Sequence, residues 1–314
     1  MRLIFMGYSN IGHRCLEELI ELCRQFKDDI AAVVTHEDNP REQIWFKSVK
    51  ELAQAHNLPV YTPADPNDPA FVAFLRSLAP DFIFSCYYRL MLKQAILDIP
   101  ALGALNLHGS LLPRYRGRCP LNWVLVHGEP LTGLTLHYME AKPDSGDMVA
   151  QVQVPISPED TALTLSEKMT GAAGRLMRLT YPLLRMDSAP RIPQDHRRAT
   201  YFGGRTPEDG RIDWSQSAPQ IYNLIRAVTH PFPGAFTTWQ GKKIFIWTAR
   251  VAPEYQGPHL SPGQVAIPPG ATQVLIGAGQ GVLEVLAAQV EGQAEVKDDE
   301  LAGALRFLDG KIMT

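Results

Sequence analysis

The first 108 residues alternate short apolar runs with stretches of helical period, and that alternation restricts the chain more than any other feature. Residues 3–6 form an apolar run that stops at Gly7, after which Leu16, Leu19, Ile20 and Cys23 recur at helical spacing. Residues 30–35 are a second β-rich run, closed by a polar segment over 36–41. Val49, Leu52 and Ala53 predict a helix, and Phe71, Phe74, Leu75 and Leu78 another. Residues 81–85 read as a short buried strand, 90–97 as a helix and 104–107 as a further strand. Strands separated by helices of this length build βαβ units on a mainly parallel sheet, an α/β fold.

The texture changes after residue 130. Residues 132–138 and 148–156 predict strands, and 161–184 a long helix. The stretch 188–198, with Pro190, Pro193 and a cluster of charges, reads as a linker. Beyond it come a helix over 221–228 and β runs at 235–239, 243–248, 273–276 and 282–286, punctuated by Pro and Gly. A small β-barrel or sandwich is the natural reading, so the chain divides into domains at 1–198 and 199–314.

Composition narrows the function. A chain of 314 residues, 45% hydrophobic and 20% charged, is neither collagenous nor disordered. Net charge is −3, from 30 basic and 33 acidic residues, which opposes a main task of coating nucleic acid or an anionic membrane. Cys15, Cys23, Cys86 and Cys119 lack C-x-x-C spacing and are expected as reduced thiols. His13, His36, His127, His137 and His230 are scattered without ligand spacing, so no metal site is expected. No apolar run reaches the roughly 20 residues of a membrane span, and MRLIFMGYSN is too short for a signal peptide. The expectation is a cytoplasmic protein with no membrane insertion.

In open α/β sheets, ligands bind beyond the carboxyl ends of the strands. The first such turn, Gly7-Tyr8-Ser9-Asn10-Ile11-Gly12, is neither G-x-G-x-x-G nor a P-loop, and its glycines are explained by tight strand-to-helix packing. Asn106 and His108 are different. Two residues apart at a strand end, they point the same way. Asn can donate to a developing oxyanion, and His can exchange a proton near neutral pH. Arg114, Arg116 and Arg118 follow around Gly117, suited to an anionic ligand. Asp144, in the turn Asp144-Ser145-Gly146-Asp147, supplies a carboxylate that would raise the His108 pKa if it lay alongside. Together the three are a parts list for acyl-type transfer. Trp214, Trp239, Trp247 and Phe245 fit a small β core, and Arg205 and Arg226 are candidates for binding a diphosphate.

The run NLHGSLLPRYRG, followed by CPLNWVLVHGEPLTGLTLHYMEAKPDSGDMVAQ, resembles the folate-dependent formyltransferases along the whole chain. The resemblance implies a Rossmann-like formyltransferase domain followed by an OB-like β-barrel. It implies Asn106, His108 and Asp144 as the catalytic trio, with 10-formyltetrahydrofolate as co-substrate and no metal. Folate contacts are implied at Leu90, Met91, Leu92 and Arg118, and in the turn Glu140, Ala141, Lys142, Pro143 and Asp144. Segments at 35–40, 85–89, 120–126, 204–209, 226–228 and 231–236 are similar to one branch. That branch is the formyltransferase domain of the bifunctional polymyxin-resistance enzymes of lipid A modification, which act on UDP-4-amino-4-deoxy-L-arabinose. Its members continue into a decarboxylase domain, so a chain complete at Thr314 would lack that second activity.

On this resemblance the acceptor is a UDP-linked amino sugar, held at its diphosphate by Arg205 and Arg226. Protonated His108 and Asn106 would stabilise the oxyanion, and Asp144 would keep His108 protonated and oriented. Three alternatives stand beside it: a methionyl-tRNA formyltransferase, a formyltransferase for another nucleotide-linked amino sugar, and a silent nucleotide- or folate-binding module. The first would need an extended phosphate-binding face and a steep salt dependence, which the net charge disfavours.

Overall fold

The computed structural model describes residues 1–38 and 44–314. Asn39, Pro40 and Arg41 of the polar segment, and Asn39 and Pro40 of the branch-like segment at 35–40, lie outside the described residues. In chain order the elements are β1 (Arg2–Gly7), α1 (Ser9–Phe26), β2 (Asp29–Val34), α2 (Val49–Ala55), β3 (Val60–Tyr61) and α3 (Pro69–Ser77). There follow β4 (Phe82–Cys86), α4 (Gln94–Leu97), β5 (Gly103–His108), β6 (Arg116–Gly117), α5 (Pro120–Val126), β7 (Leu131–Tyr138) and β8 (Met148–Pro155). Next come α6 (Ala162–Arg185), β9 (Tyr201–Phe202), α7 (Ala218–Val228), β10 (Ala235–Trp239) and β11 (Lys242–Val251). The chain ends with β12 (Val265–Ala266), β13 (Val274–Gly277), β14 (Val282–Val290), β15 (Glu295–Lys297) and α8 (Asp299–Ala304).

Two compact units result. The first comprises residues 1–120, 131–156 and 165–203; the second comprises 121–130, 157–164 and 204–314. Residues 121–130 and 157–164 group with the second unit, and 199–203 with the first.

The first unit carries a seven-stranded sheet of order β3-β2-β1-β4-β5-β7-β8. Pairing is parallel from β3 through β5 and antiparallel from β5 through β8, a mainly parallel sheet with an antiparallel edge. The inner strands are almost wholly buried, as apolar runs covered on both faces must be. One face is sealed by Val72, Leu75, Leu92, Ile96 and Leu97 against Ile4, Met6, Val34 and Ile83. On the other, Tyr181 of α6 donates its hydroxyl to Asp28 at 2.7 Å and tilts against Phe84 of β4. At the first strand-to-helix turn a Cβ on Gly12 would stand 3.0 Å from the Cys86 carbonyl, so close packing sets that glycine.

Two elements differ from the sequence reading. The helix over 90–97 shrinks to the single turn α4, because Asn67 takes over the backbone before it: its Nδ2 donates to the Met91 carbonyl at 2.9 Å and its Oδ1 accepts from Lys93 N–H at 2.8 Å. The supposed linker at 188–198 is anchored, with Ile192 exchanging two backbone hydrogen bonds with Met148 at the start of β8.

The second unit is an antiparallel half-barrel of order β10-β11-β14-β13-β12, with β15 alongside β14. Trp214 and Trp247 are buried in it, and Phe245 stacks on Trp247. Among the described residues all four cysteines are free thiols; Cys15, Cys23 and Cys86 are buried and Cys119 is half-buried.

Candidate active site

Strand β5 ends the parallel part of the sheet, and its antiparallel partner β7 sets Asn106 opposite His137 and His108 opposite Thr135. Period-two alternation then puts Asn106, His108 and His137 on one face. The Asn106 amide Nδ2 lies 3.2 Å from His137 Nε2. Asp144, in the connection from β7 to β8, brings Oδ1 to 3.4 Å from His108 Nδ1 and 3.7 Å from His137 Nε2. The structure therefore assembles Asn106, His108 and Asp144, and adds His137.

Hydrogen-bond chemistry fixes the ring states. His108 Nε2 lies 2.8 Å from the Tyr115 carbonyl, which can only accept, so Nε2 carries a proton and Nδ1 is the nitrogen that can take one up. The same logic puts a proton on His137 Nδ1, 2.8 Å from the Tyr138 carbonyl. Its Nε2, when the ring is neutral, accepts from Asn106. The loop after β5 is held firmly. Ser110 donates to the Arg114 carbonyl at 2.6 Å, Thr135 donates to the Ser110 carbonyl at 2.6 Å, and Tyr115 stacks on Phe202.

The Asp144 carboxylate accepts from Gly117 N–H at 2.8 Å. Gly117 has φ +96°, and a Cβ there would collide with the Phe202 carbonyl, so this donor position requires glycine. Asp144 itself sits at φ 56° and Tyr115 at 58°, left-handed conformations that cost a side-chain-bearing residue about 1–3 kcal/mol each and persist only where surroundings enforce them.

Electrostatics revise one expectation. Burial pulls the His108 pKa down, and this outweighs the rise from the Asp144 charge and the Tyr115 carbonyl, with His137 and Arg116 adding to the fall. The Asp144 charge raises the His108 pKa as expected but does not offset burial. Burial tends to raise the Asp144 pKa itself, but the adjoining His137 ring, the charge on His108 and the Gly117 N–H together hold it at about 2. An ionised carboxylate therefore lies beside an imidazole whose charged form burial disfavours.

The other expected residues scatter more widely. Leu90 and Met91 are exposed, Met91 at 61%, whereas Leu92 is 5% exposed and packed in the core. Leu92 thus offers a ligand its backbone and not its side chain. Arg118 and the turn residues Glu140, Ala141, Lys142 and Pro143 are exposed. Arg116 is no anion-facing arginine: it is 1% exposed and bonds to neutral groups, Tyr201 Oη at 2.6 Å and Gln194 Oε1 at 2.5 Å. In the second unit Arg226 is buried, with Nε on Asn223 Oδ1 at 2.9 Å and Nη1 3.2 Å from the carbonyls of Ser157 and Asp160. Those bonds make it an internal brace, and the expectation that it grips a diphosphate is withdrawn. Arg205 is half-buried over the Trp123 ring, its Nη2 donating to the Asp209 carbonyl at 2.8 Å. Sequence reasoning passed over His137: it lies on β7 and its partner Asn106 on β5, so no spacing along the chain joins them.

A half-buried amide donor, a buried imidazole and a carboxylate at a strand end are the kinds of group that acyl transfer uses. The family model described as "Formyl transferase" matches residues 1–180, and that described as "Formyl transferase, C-terminal domain" matches 205–305. The chain belongs to the formyltransferase family. Solved structures share its fold. One is an N-formyltransferase from Helicobacter canadensis in complex with folinic acid and dTDP-3-aminofucose. It is 19% identical with a TM-score of 0.69, over 90% of this chain and 98% of that one. The sugar 3N-formyltransferase WlaRD, solved with dTDP and 5-N-formyl-THF, is 19% identical with a TM-score of 0.69, over 94% and 99% of the two chains. HypX from Aquifex aeolicus, in complex with tetrahydrofolic acid, is 19% identical with a TM-score of 0.64 over 99% of this chain, which spans 48% of HypX.

Proposed function

We propose that this enzyme transfers a formyl group from 10-formyltetrahydrofolate to the amine of a nucleotide-linked sugar, and specifically of UDP-4-amino-4-deoxy-L-arabinose. The observation that carries the chemistry is the cluster of Asn106, His137 and His108 around the Asp144 carboxylate, with Asn106 hydrogen-bonded to His137 and Asp144 Oδ1 3.4 Å and 3.7 Å from the rings of His108 and His137. The neutral amine attacks the formyl carbon, and negative charge develops on the formyl oxygen. Asn106 donates to that oxygen through its amide, worth about 10²–10³-fold for one such donor. His108, neutral at rest, takes the proton released by the amine at Nδ1, where Asp144 stabilises the new charge. Collapse breaks the bond from the formyl carbon to the folate N10, and His108 returns the proton to that nitrogen. General acid–base help of this kind is worth about 10²–10⁴-fold.

The exposed Leu90–Met91 step offers a flat apolar surface suited to a pterin, with Arg118 and the 140–144 turn as further folate contacts. Arg205 is the arginine proposed for the diphosphate. Support for a nucleotide-sugar acceptor comes from the sugar formyltransferases that share the fold, and for the arabinose sugar from the branch-like segments at 204–209 and 226–236. The test is a mass-spectrometric screen with 10-formyltetrahydrofolate against UDP- and dTDP-linked amino sugars and methionyl-tRNA. The expected result is a gain of one formyl group on UDP-4-amino-4-deoxy-L-arabinose. Efficient formylation of methionyl-tRNA with every sugar ignored would overturn the acceptor and leave the chemistry standing.

A further inference from the structure

The stretch read from sequence as a linker contains a buried amide. Gln194 is 5% exposed and makes three hydrogen bonds whose directions are forced. Arg116 can only donate, so Gln194 Oε1 accepts from Arg116 Nη2 at 2.5 Å. Backbone carbonyls can only accept, so Nε2 donates to the carbonyls of Asp144, at 3.1 Å, and Gly146, at 2.7 Å. Arg116 is fixed in turn by Tyr201 Oη at 2.6 Å and His196 Nδ1 at 3.0 Å. Its neighbour Gly117 supplies the N–H that holds the Asp144 carboxylate.

We propose that Gln194 is a positioning residue for Asp144, joining the 188–203 segment to the carboxylate through Arg116 and the strained turn. The inference rests on the reading of Asp144 as the partner of His108. Asp144 sits at φ 56°, outside the backbone regions most residues occupy, and the Gln194 bonds to the carbonyls of Asp144 and Gly146 hold the turn there. Its carboxylate serves His108 only within a narrow range of distance, and displacement by about 1 Å can cost about 10²-fold in turnover. Gln194 reaches neither ring nor carboxylate oxygen; it acts on the backbone that carries them.

The decisive variant is Gln194→Glu. Its carboxylate keeps a partner for Arg116 and so preserves the buried arginine, while both donors to the turn are withdrawn. Gln194→Leu, which also abandons Arg116, is a harsher companion whose folding is less protected. For Gln194→Glu the expected result is a fall in kcat of about 10–10²-fold with KM for both substrates within about threefold. In an Asp144→Asn background, read by single-turnover formyl transfer with enzyme in excess, the same change should cost less than about threefold, since the group it positions is already gone. Equal losses in the two backgrounds, or an unchanged kcat in Gln194→Glu, would overturn the proposal. If Asp144→Asn alone leaves kcat unchanged, the reading of Asp144 fails and takes this inference with it. If Asp144→Asn is impaired while Gln194→Glu is normal, only the inference fails.

Discussion

Two buried arginines, one in each unit, invite comparison. Arg116 and Arg226 both stood among the arginines that sequence reasoning offered to an anionic ligand, and both are buried on neutral acceptors of their own unit. Their bonds lead to different places. From Arg116 they run through Gln194 to the backbone of Asp144. From Arg226 they run to Asn223 and to the carbonyls of Ser157 and Asp160, and end in scaffold. A guanidinium's chemistry is the same in both; what it does depends on whose backbone its partners hold. The region around Arg116 should therefore report in kcat, and the region around Arg205 and Arg226 in substrate affinity or stability.

The comparison is most easily broken at its centre. His108→Ala and Asn106→Ala are each expected to lower kcat by at least about 10²-fold with Tm close to that of the parent, because each removes stabilisation made mainly in the transition state. Steady-state kinetics beside a thermal melt would show it. Near-normal turnover in either variant would move the chemistry elsewhere.

Asp144→Asn should cost about 10–10²-fold in kcat and also shift a titration. The Asp144 charge favours imidazolium, so its removal moves the His108 pKa further down, away from the ordinary imidazole value that burial has already brought it below. The folded state then resists protonating His108 to lower pH. In the parent the neutral ring's contribution to stability is present above about pH 6.5 and is lost as pH falls through the depressed folded value. Histidine NMR across pH 4–8 should show the His108 signal titrating lower in the variant; an upward move would sink the assignment.

Smaller effects sharpen the contrast. Arg205→Ala should raise KM for the sugar nucleotide by about three- to tenfold while leaving KM for the folate within about twofold, as loss of ground-state binding to one substrate requires. Equal changes in both would remove Arg205 from the acceptor site. Arg226→Met should act on stability alone, by about 1–3 kcal/mol for buried acceptors left unpaired, with kcat within about twofold of the parent. A chemical-denaturation curve beside the same kinetic assay separates the two, and a large kcat loss in Arg226→Met would collapse the distinction between regions.

Much of this molecule was legible before folding. Apolar runs and helical spacing located β1, α1, β2, α2, α3, β4 and β5 to within a few residues, because strands buried on both faces must be continuously apolar. The helix expected over 90–97 failed where Asn67, more than twenty residues upstream, supplies hydrogen bonds that a local pattern cannot register. His137 was passed over because its partner Asn106 lies on another strand, and isolated histidines carry no spacing signal.

What the sequence determined by itself is whatever depends on neighbours along the chain: the βαβ alternation, the strand-end placement of Asn106 and His108, and the family's motif. Everything else depends on groups far apart in sequence that folding brings together. Folding placed two of the expected arginines inward, put the His108 proton on Nε2, and made burial outweigh Asp144 in shifting the His108 pKa. It also turned a Pro- and charge-rich stretch into support for a carboxylate fifty residues earlier. The physical reason is common to all of these. Desolvation and hydrogen-bond direction are fixed by the full set of atoms around a group, and a linear pattern reports only the few contributed by its own segment.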